Sequence, residues 1–310
     1  MSEAIRLKIG PRGLQKMMWH RAAWQALGSD VSMQVYATQD DAADIFHQAV
    51  AWLEEFETQV SRFRPDSQVS RWNRGEIQQM DGLAQEALAA SRWAADLTGG
   101  LLDPMIGTQM QQAGYGDSRS GIEAEISWEL AWQQPTHIAQ PREEKTWQLE
   151  SLPRGYQYDP GGAGKGLAAD LLMEKFAGRA RALLIDLGGD LRIHSQEDLP
   201  AFPVGLVDPR SGGEWHTLQM HSGAVATSSF CRRLWLDKDG KPRHHLLSPR
   251  DGQPVWNEWA GVVALAPTAL EAETRAKWAL LSASTEPLIH GGFLYPADPK
   301  LSAREVGLKA

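Results

Sequence analysis

The stretch from Tyr158 to Asp170 constrains this chain most: Tyr-Asp-Pro-Gly-Gly-Ala-Gly-Lys-Gly-Leu-Ala-Ala-Asp. Gly161, Gly162, Gly164 and Gly166 fall close together, with Lys165 among them. Apolar side chains at Leu167, Ala168, Leu171, Leu172 and Phe176 follow at helical spacing, so a helix begins here. A glycine-rich turn feeding a helix N-terminus presents free backbone N–H groups and the positive end of a dipole. Such a turn suits an anion, most commonly a phosphate. A Walker A loop is excluded, because it needs Gly where Asp159 stands and Ser or Thr where Gly166 stands. A dinucleotide fingerprint is excluded too, because its third glycine would fall at Leu167. A turn that serves only tight packing remains the alternative, and this segment alone does not separate the two.

Composition narrows the partners. The chain has 310 residues, enough for one large core or two smaller ones. Its net charge of −8 argues against a general nucleic-acid binder and means that a phosphate ligand needs a local cationic site or a metal. The single cysteine, Cys231, excludes internal disulfides and a cysteine-rich zinc site. The first residues carry no apolar run of signal-peptide length and nothing approaches a membrane span, so the expected compartment is the cytoplasm.

Taken in order, residues 1–25 show no clear period and read as an N-terminal extension, with a single domain over 26–310. Val31, Met33, Val35 and Ala37 alternate as a half-buried strand. A helix capped by Asp40 or Asp41 then runs to about Ser61 on the stripe Phe46, Ala49, Val50, Leu53, Phe56 and Val60. A short helix capped by Ser67 follows, and another over 83–97 that Gly99-Gly100 ends. A helix near 121–133 and a strand near 146–149 are expected before the central turn. After its helix come strands at 182–185, 191–194, 204–207, 216–220, 224–228 and 261–266, and a helix over 268–282. The tail from Ala283 is weakly patterned. This order predicts an α+β fold with a mixed or antiparallel sheet.

Eight of these segments together resemble one family, the flavin transferases known as ApbE or FAD:protein FMN transferases. Leu27-Gly28-Ser29 stands where that family has Met-Gly-Thr. Ser61-Arg62-Phe63 through Asn73, Leu102-Asp103-Pro104 and Ala113-Gly114-Tyr115-Gly116 follow its next motifs. Asp159 to Asp170 resembles its Asp-x-Gly-Gly-x-Ala-Lys-Gly segment. Gly188-Gly189-Asp190, Ala226-Thr227-Ser228-Ser229 and His244-His245 to Gly252 complete the series. The resemblance implies a T-fold-like α+β architecture around an FAD cleft. It also implies cleavage of FAD at its diphosphate, transfer of FMN to a threonine or serine of an acceptor flavoprotein, and release of AMP. It assigns cofactor contacts to Leu27, Gly28, Ser29, Phe63, Ala113, Gly114, Tyr115, Asp159, Gly161, Lys165, Thr227 and Leu247. His245 is the implied base, with Lys277 the second catalytic group.

The departures lie around one centre. The family holds magnesium with backbone of the glycine turn, here Gly162 and Gly164, and with Asp and Thr four residues apart on the late helix. Here that pair is Glu273 and Lys277. A protonated lysine does not ligate a metal. Either its ammonium takes over part of the metal's role, or the metal site and the transfer are lost. Ser248 and Asp251 replace the Asp and Thr of the family's histidine segment. Three activities stay open: FMN transfer, FAD binding without chemistry, and hydrolysis of FAD to AMP and FMN.

Overall fold

The alternation expected over 31–37 forms a strand whose Val31, Met33, Val35 and Ala37 are buried. The computed structural model describes residues 6–8, 16–115, 126–148, 151–237 and 239–307. In chain order its strands are β1 (Arg6–Lys8), β2 (Met18–Ala26), β3 (Ser29–Ala37), β4 (Ala182–Leu187), β5 (Asp190–Ser195), β6 (Phe202–Val207) and β7 (Glu214–Met220). Then come β8 (Ser222–Ser229), β9 (Leu234–Leu236), β10 (Pro242–His244), β11 (Trp259–Ala266), β12 (Gly292–Pro296) and β13 (Arg304–Val306). The helices are α1 (Gln39–Val60), α2 (Gln68–Asn73), α3 (Gly82–Leu97), α4 (Gly107–Gln112), α5 (Trp128–Ala131), α6 (Gly164–Phe176) and α7 (Ala269–Ser282).

A nine-stranded sheet in the order β1-β2-β3-β4-β5-β8-β11-β12-β13 carries the fold. Every neighbouring pair in it is antiparallel. α1 lies on β2 and β3, while α6 and α7 lie side by side on the central strands. α7 approaches the sheet through Ala269, Ala272, Ala276 and Ala279, all wholly buried. The strands that α7 packs on carry buried Ala224, Ala226 and Ala264, and small side chains on both elements let helix and sheet come close. The β6–β7 hairpin covers the opposite face. Phe202 packs on Trp19 at one end, and Trp215 packs on Phe293 and Tyr295 at the other.

Several expectations are corrected. The segment before residue 26 is no simple extension, because Met18–Ala26 pairs with β3 along its whole length. Its alternation is blurred because Trp19 on its outer face is also apolar and packs on Tyr36 and Phe202. The cap of α1 is Thr38, whose hydroxyl accepts from the Asp41 N–H, and the two aspartates sit in the first turn. Ser67 caps α2 as expected. The helix expected at 121–133 is confined to Trp128–Ala131, with 121–125 outside the described residues. Thr146–Gln148 forms a 3-10 turn where a strand was expected, and Leu149 lies outside the described residues. Here the Trp147 ring fills the space over Gly100, and a Cβ at that glycine would lie 2.4 Å from it. The weakly patterned tail supplies β12 and β13.

α6 and α7 cap each other. Asp170 on α6 accepts from the N–H groups of Ala269 and Leu270, both at 2.9 Å, at the start of α7. Glu273 on α7 accepts from the Gly166 N–H at 2.8 Å, in the first turn of α6. Each carboxylate satisfies orphan donors and opposes a helix dipole. Gly166 is what allows the two helices to meet so closely. A Cβ there would lie 2.6 Å from the Ala269 carbonyl oxygen and 2.7 Å from the Leu270 backbone. Gly166→Ala is therefore expected to lower stability by about 1–3 kcal/mol through overpacking. Gly162→Ala, with open space around its new methyl, is the control expected to change little. Urea midpoints of the two variants measure the difference.

Candidate active site

The glycine turn is held from three sides. Asn73 donates to the Tyr158 carbonyl at 2.9 Å and accepts from the Tyr158 N–H at 2.8 Å. Asp159 accepts from the Gly161 N–H at 2.7 Å and pairs with Arg62 at 2.8 Å, both side chains nearly buried. Arg62 also donates to the Tyr115 carbonyl at 2.9 Å and lies 4.1 Å over the Phe63 ring. The turn then enters α6 with no side-chain cap of its own at Ala163, and Glu273 supplies that function from α7.

Beside this turn opens a cleft of about 800 Å³, including its open mouth. Phe63, Tyr115, Asp159, Gly161, Gly162, His245, Leu247 and Lys277, all expected from the sequence, line it together. Phe63 and Tyr115 meet edge to face at 6.1 Å, and Tyr115 stacks on Trp235 at 5.8 Å. Asp103 and Arg233 also line it, and neither was singled out for a role from the sequence. Asp103 is tied by Arg142 at 2.6 Å, and Arg142 donates to the Pro249 carbonyl at 3.0 Å, so one guanidinium joins the cleft wall to the histidine segment. Arg233 was hidden because it sits outside every motif. Its signal is conformational: a non-glycine residue at φ 55°.

Two buried ion pairs stand at the inner end. Lys165 pairs with Asp190, and Lys277 donates to Glu273 at 2.5 Å with the Glu273 side chain wholly buried. Burial works against the Lys165 charge, but the carboxylates of Asp190 and Glu273 outweigh it and raise its pKa. Burial raises the Glu273 pKa, and the Lys277 charge pulls the other way.

The two histidines differ in role. Burial pushes His244 down to about 3. Its Nδ1 accepts from the Leu246 N–H at 3.1 Å, which leaves the proton on Nε2, 2.8 Å from the Val255 carbonyl oxygen. His244 is thus a neutral brace. Burial also holds His245 well below the ordinary histidine value, and the charges of Arg233, Lys277 and Lys165 push the same way. His245 Nδ1 is buried with no hydrogen-bond partner among the described residues. A neutral imidazole with an unused ring nitrogen in a cationic cleft is competent to take a proton.

The other expected residues stand back from the cleft. Leu27 and Gly28, at φ 54° and 63°, make the tight turn between β2 and β3. Ser29 beside them packs on Gly188, where a Cβ would come within 2.6 Å of the Ser29 Cβ. Through the Gly188-Gly189 turn this segment buttresses Asp190 and hence Lys165. Ala113 and Gly114 end α4 and pack behind Tyr115. Thr227 does not line the cleft. It alternates with Ala226 and Ser228, so it faces away from α6 and α7. Ser248 and Asp251 do not line it either. Ser248 is buried and accepts from the Gln140 N–H at 3.2 Å, and Asp251 pairs with His137 at 3.2 Å.

The corner expected to hold magnesium is a poor site for a hard cation. Glu273 offers its two oxygens, and Lys277 and the Gly166 N–H already take them. The Lys277 ammonium stands where a metal would bind that carboxylate. No group of three His, Cys, Asp or Glu side chains suited to a metal occurs among the described residues. Gly164 begins α6 and Gly162 lines the cleft, but with this carboxylate engaged the residues do not fit magnesium.

Comparison with known proteins shows the family and the fold. A sequence model described as the ApbE family matches residues 27–287. The FAD:protein FMN transferase of Haemophilus influenzae is 23% identical over 72% of this chain and 68% of its own length. That of Klebsiella pneumoniae is 24% identical over 80% of this chain and 77% of its own. Among solved structures, the ApbE protein of Thermotoga maritima superposes with a TM-score of 0.73 at 21% identity, covering 90% of this chain and 94% of its own. The flavin transferase ApbE of Vibrio cholerae gives 0.69 at 17% identity, covering 94% and 97%. No helix among the described residues is long and apolar enough to cross a membrane. With its family match spanning most of its length and its fold shared with those structures, this chain belongs to the ApbE family.

Proposed function

We propose that this chain is an FAD:protein FMN transferase, moving FMN from FAD to a threonine or serine hydroxyl of an acceptor flavoprotein and releasing AMP. One observation carries the reading: a buried neutral His245, whose Nδ1 has no hydrogen-bond partner among the described residues, shares a cleft with the glycine turn and with Lys277. The family relatives named FAD:protein FMN transferase support it.

In this reading the diphosphate lies against the turn at Gly161 and Gly162, where backbone and dipole favour negative charge. The exposed face of Phe63 and the Tyr115 ring bracket an aromatic ring of FAD. Leu247 and the residues behind Tyr115, Ala113 and Gly114, shape that wall. Asp159 acts through Arg62 to hold the turn, and Leu27, Gly28 and Ser29 act through Gly188 to hold the Lys165–Asp190 pair. The acceptor hydroxyl attacks the flavin-side phosphorus and gives its proton to His245. The bond from that phosphorus to the bridging oxygen breaks, and AMP leaves with the electron pair. The imidazolium can then return its proton to the departing phosphate. The reaction is a positioned displacement whose charge must be met by nearby donors and cations.

Intact mass measurement of an acceptor flavoprotein domain, incubated with this chain and FAD while AMP is followed, tests the reading. An FMN-sized mass gain with matching AMP is expected. AMP with free FMN and no adduct would instead mark a hydrolase. His245→Gln is expected to slow transfer by about 10²–10⁴-fold while FAD still binds. The pH profile has a definite sign. A base with a lowered pKa stays active to lower pH, so the acid limb of kcat/KM is expected below the ordinary histidine value of 6.5. An acid limb above that value would rule out His245 as the base in its present surroundings.

A further inference from the structure

Three cations of this region differ in how they are paired. Arg233, Lys277 and Lys165 all act on His245. Asp190 neutralises Lys165, and Glu273 neutralises Lys277. Arg233 makes no hydrogen bond or ion pair among the described residues, and its guanidinium lies 6.0 Å from the centre of the Tyr115 ring. Of the three cations only Arg233, at the wall of a cleft lined by the glycine turn, has no carboxylate partner among the described residues. Lys277 is not spent either. Its ammonium carries three donors, and Glu273 takes one of them. Its side chain remains slightly exposed, and Lys277 lines the cleft.

The backbone at Arg233 points the same way. A left-handed conformation costs an L-residue with a Cβ free energy, and such sites persist where the surroundings enforce them. Arg233 holds φ 55° between the buried Cys231 and the buried Leu234 and Trp235, so the chain is fixed on both sides while the guanidinium lines the cleft. On the other side of the balance, a divalent cation at Glu273 would have to displace the Lys277 ammonium. Two like charges a few ångströms apart in a buried corner repel strongly.

The geometry points to a protein-built replacement for the metal: Lys277 and Arg233 supply the positive charge at the FAD diphosphate, so FMN transfer by this chain needs no divalent cation. This rests on the transferase reading. The balance is complete without a further reactant. The acceptor oxygen bonds to the flavin-side phosphorus, the bond to the bridging oxygen breaks, and the two cations meet the charge that gathers on the departing AMP. The acceptor proton goes to His245.

Two measurements made side by side test this. The first is affinity for FAD and for riboflavin, which lacks phosphate, in excess EDTA and then in magnesium. The second is FMN transfer to an acceptor domain under the same conditions. FAD affinity and transfer are expected to change by less than about twofold on chelation. Arg233→Met is expected to weaken FAD binding by about tenfold or more, leave riboflavin binding unchanged, and slow transfer by about 10²-fold. Lys277→Met is expected to act alike. Because it strands Glu273, Glu273→Gln/Lys277→Met is measured beside it, and Arg233→Met carries the test if neither folds. Transfer abolished by EDTA and restored by magnesium would overturn the inference and keep the transferase. Transfer in EDTA that neither cation variant slows would overturn it also. Tight, cation-dependent FAD binding with no AMP and no adduct, with or without magnesium, would sink the transferase reading and with it metal-free transfer.

Discussion

Two carboxylates exchanged between neighbouring helices hold the rest in place. Asp170 leaves α6 to cap α7, and Glu273 leaves α7 to cap α6. Neither exchange is possible unless the helices lie almost backbone to backbone, and Gly166 is the residue that permits it. The consequence is chemical. The glycine turn, Lys165 and the inner end of the cleft are fixed relative to Lys277 by short, buried bonds. An ordinary helix cap contributes about 1 kcal/mol. Here the same interaction also sets the position of the charged groups.

The cost of burying Glu273 explains why Lys277 stands four residues on. A lone carboxylate in this corner would be forced to take up a proton, and burial does raise its pKa. The ammonium at helical i,i+4 spacing offsets that penalty, and the Gly166 N–H satisfies the second oxygen. On an exposed helix the same pair would contribute only a few tenths of a kcal/mol. Buried, it becomes a fixed dipole whose positive end borders the cleft. The sequence pattern is the same in both cases, so only the fold distinguishes them.

That difference marks what was legible in the chain. The glycine turn, α1, α3, α6 and α7 announce themselves by period and caps, and the central strands by apolar runs. The motif series also brought Phe63, Tyr115, Asp159, His245 and Lys277 into one cleft. What escaped did so for physical reasons. β2 carries Trp19 on its outer face, where it packs on Phe202 of the β6–β7 hairpin, and His20 on its buried face, so its alternation is blurred. β12 is buried on both faces and shows no alternation at all. Thr227 sits in a recognisable motif, but strand alternation turns it away from α6 and α7. Arg233 carries no motif, because its position is set by a backbone angle and, among the described residues, by the lack of a carboxylate partner.

The cluster around His245 sets a base beside several cations. Cations beside a general base lower its pKa and so weaken it. Three cations around one histidine therefore look wasteful in the free protein. On the proposed function, a doubly charged diphosphate among them would reverse the balance, because substrate charge would offset theirs and let the imidazole regain basicity as the acceptor hydroxyl arrives. A base that is weak until the anion is bound is protected from idle protonation. It is also coupled to the same groups that hold the anion. On the proposed function, Arg233, Lys277 and His245 would work as one electrostatic unit, since both cations act on the same imidazole.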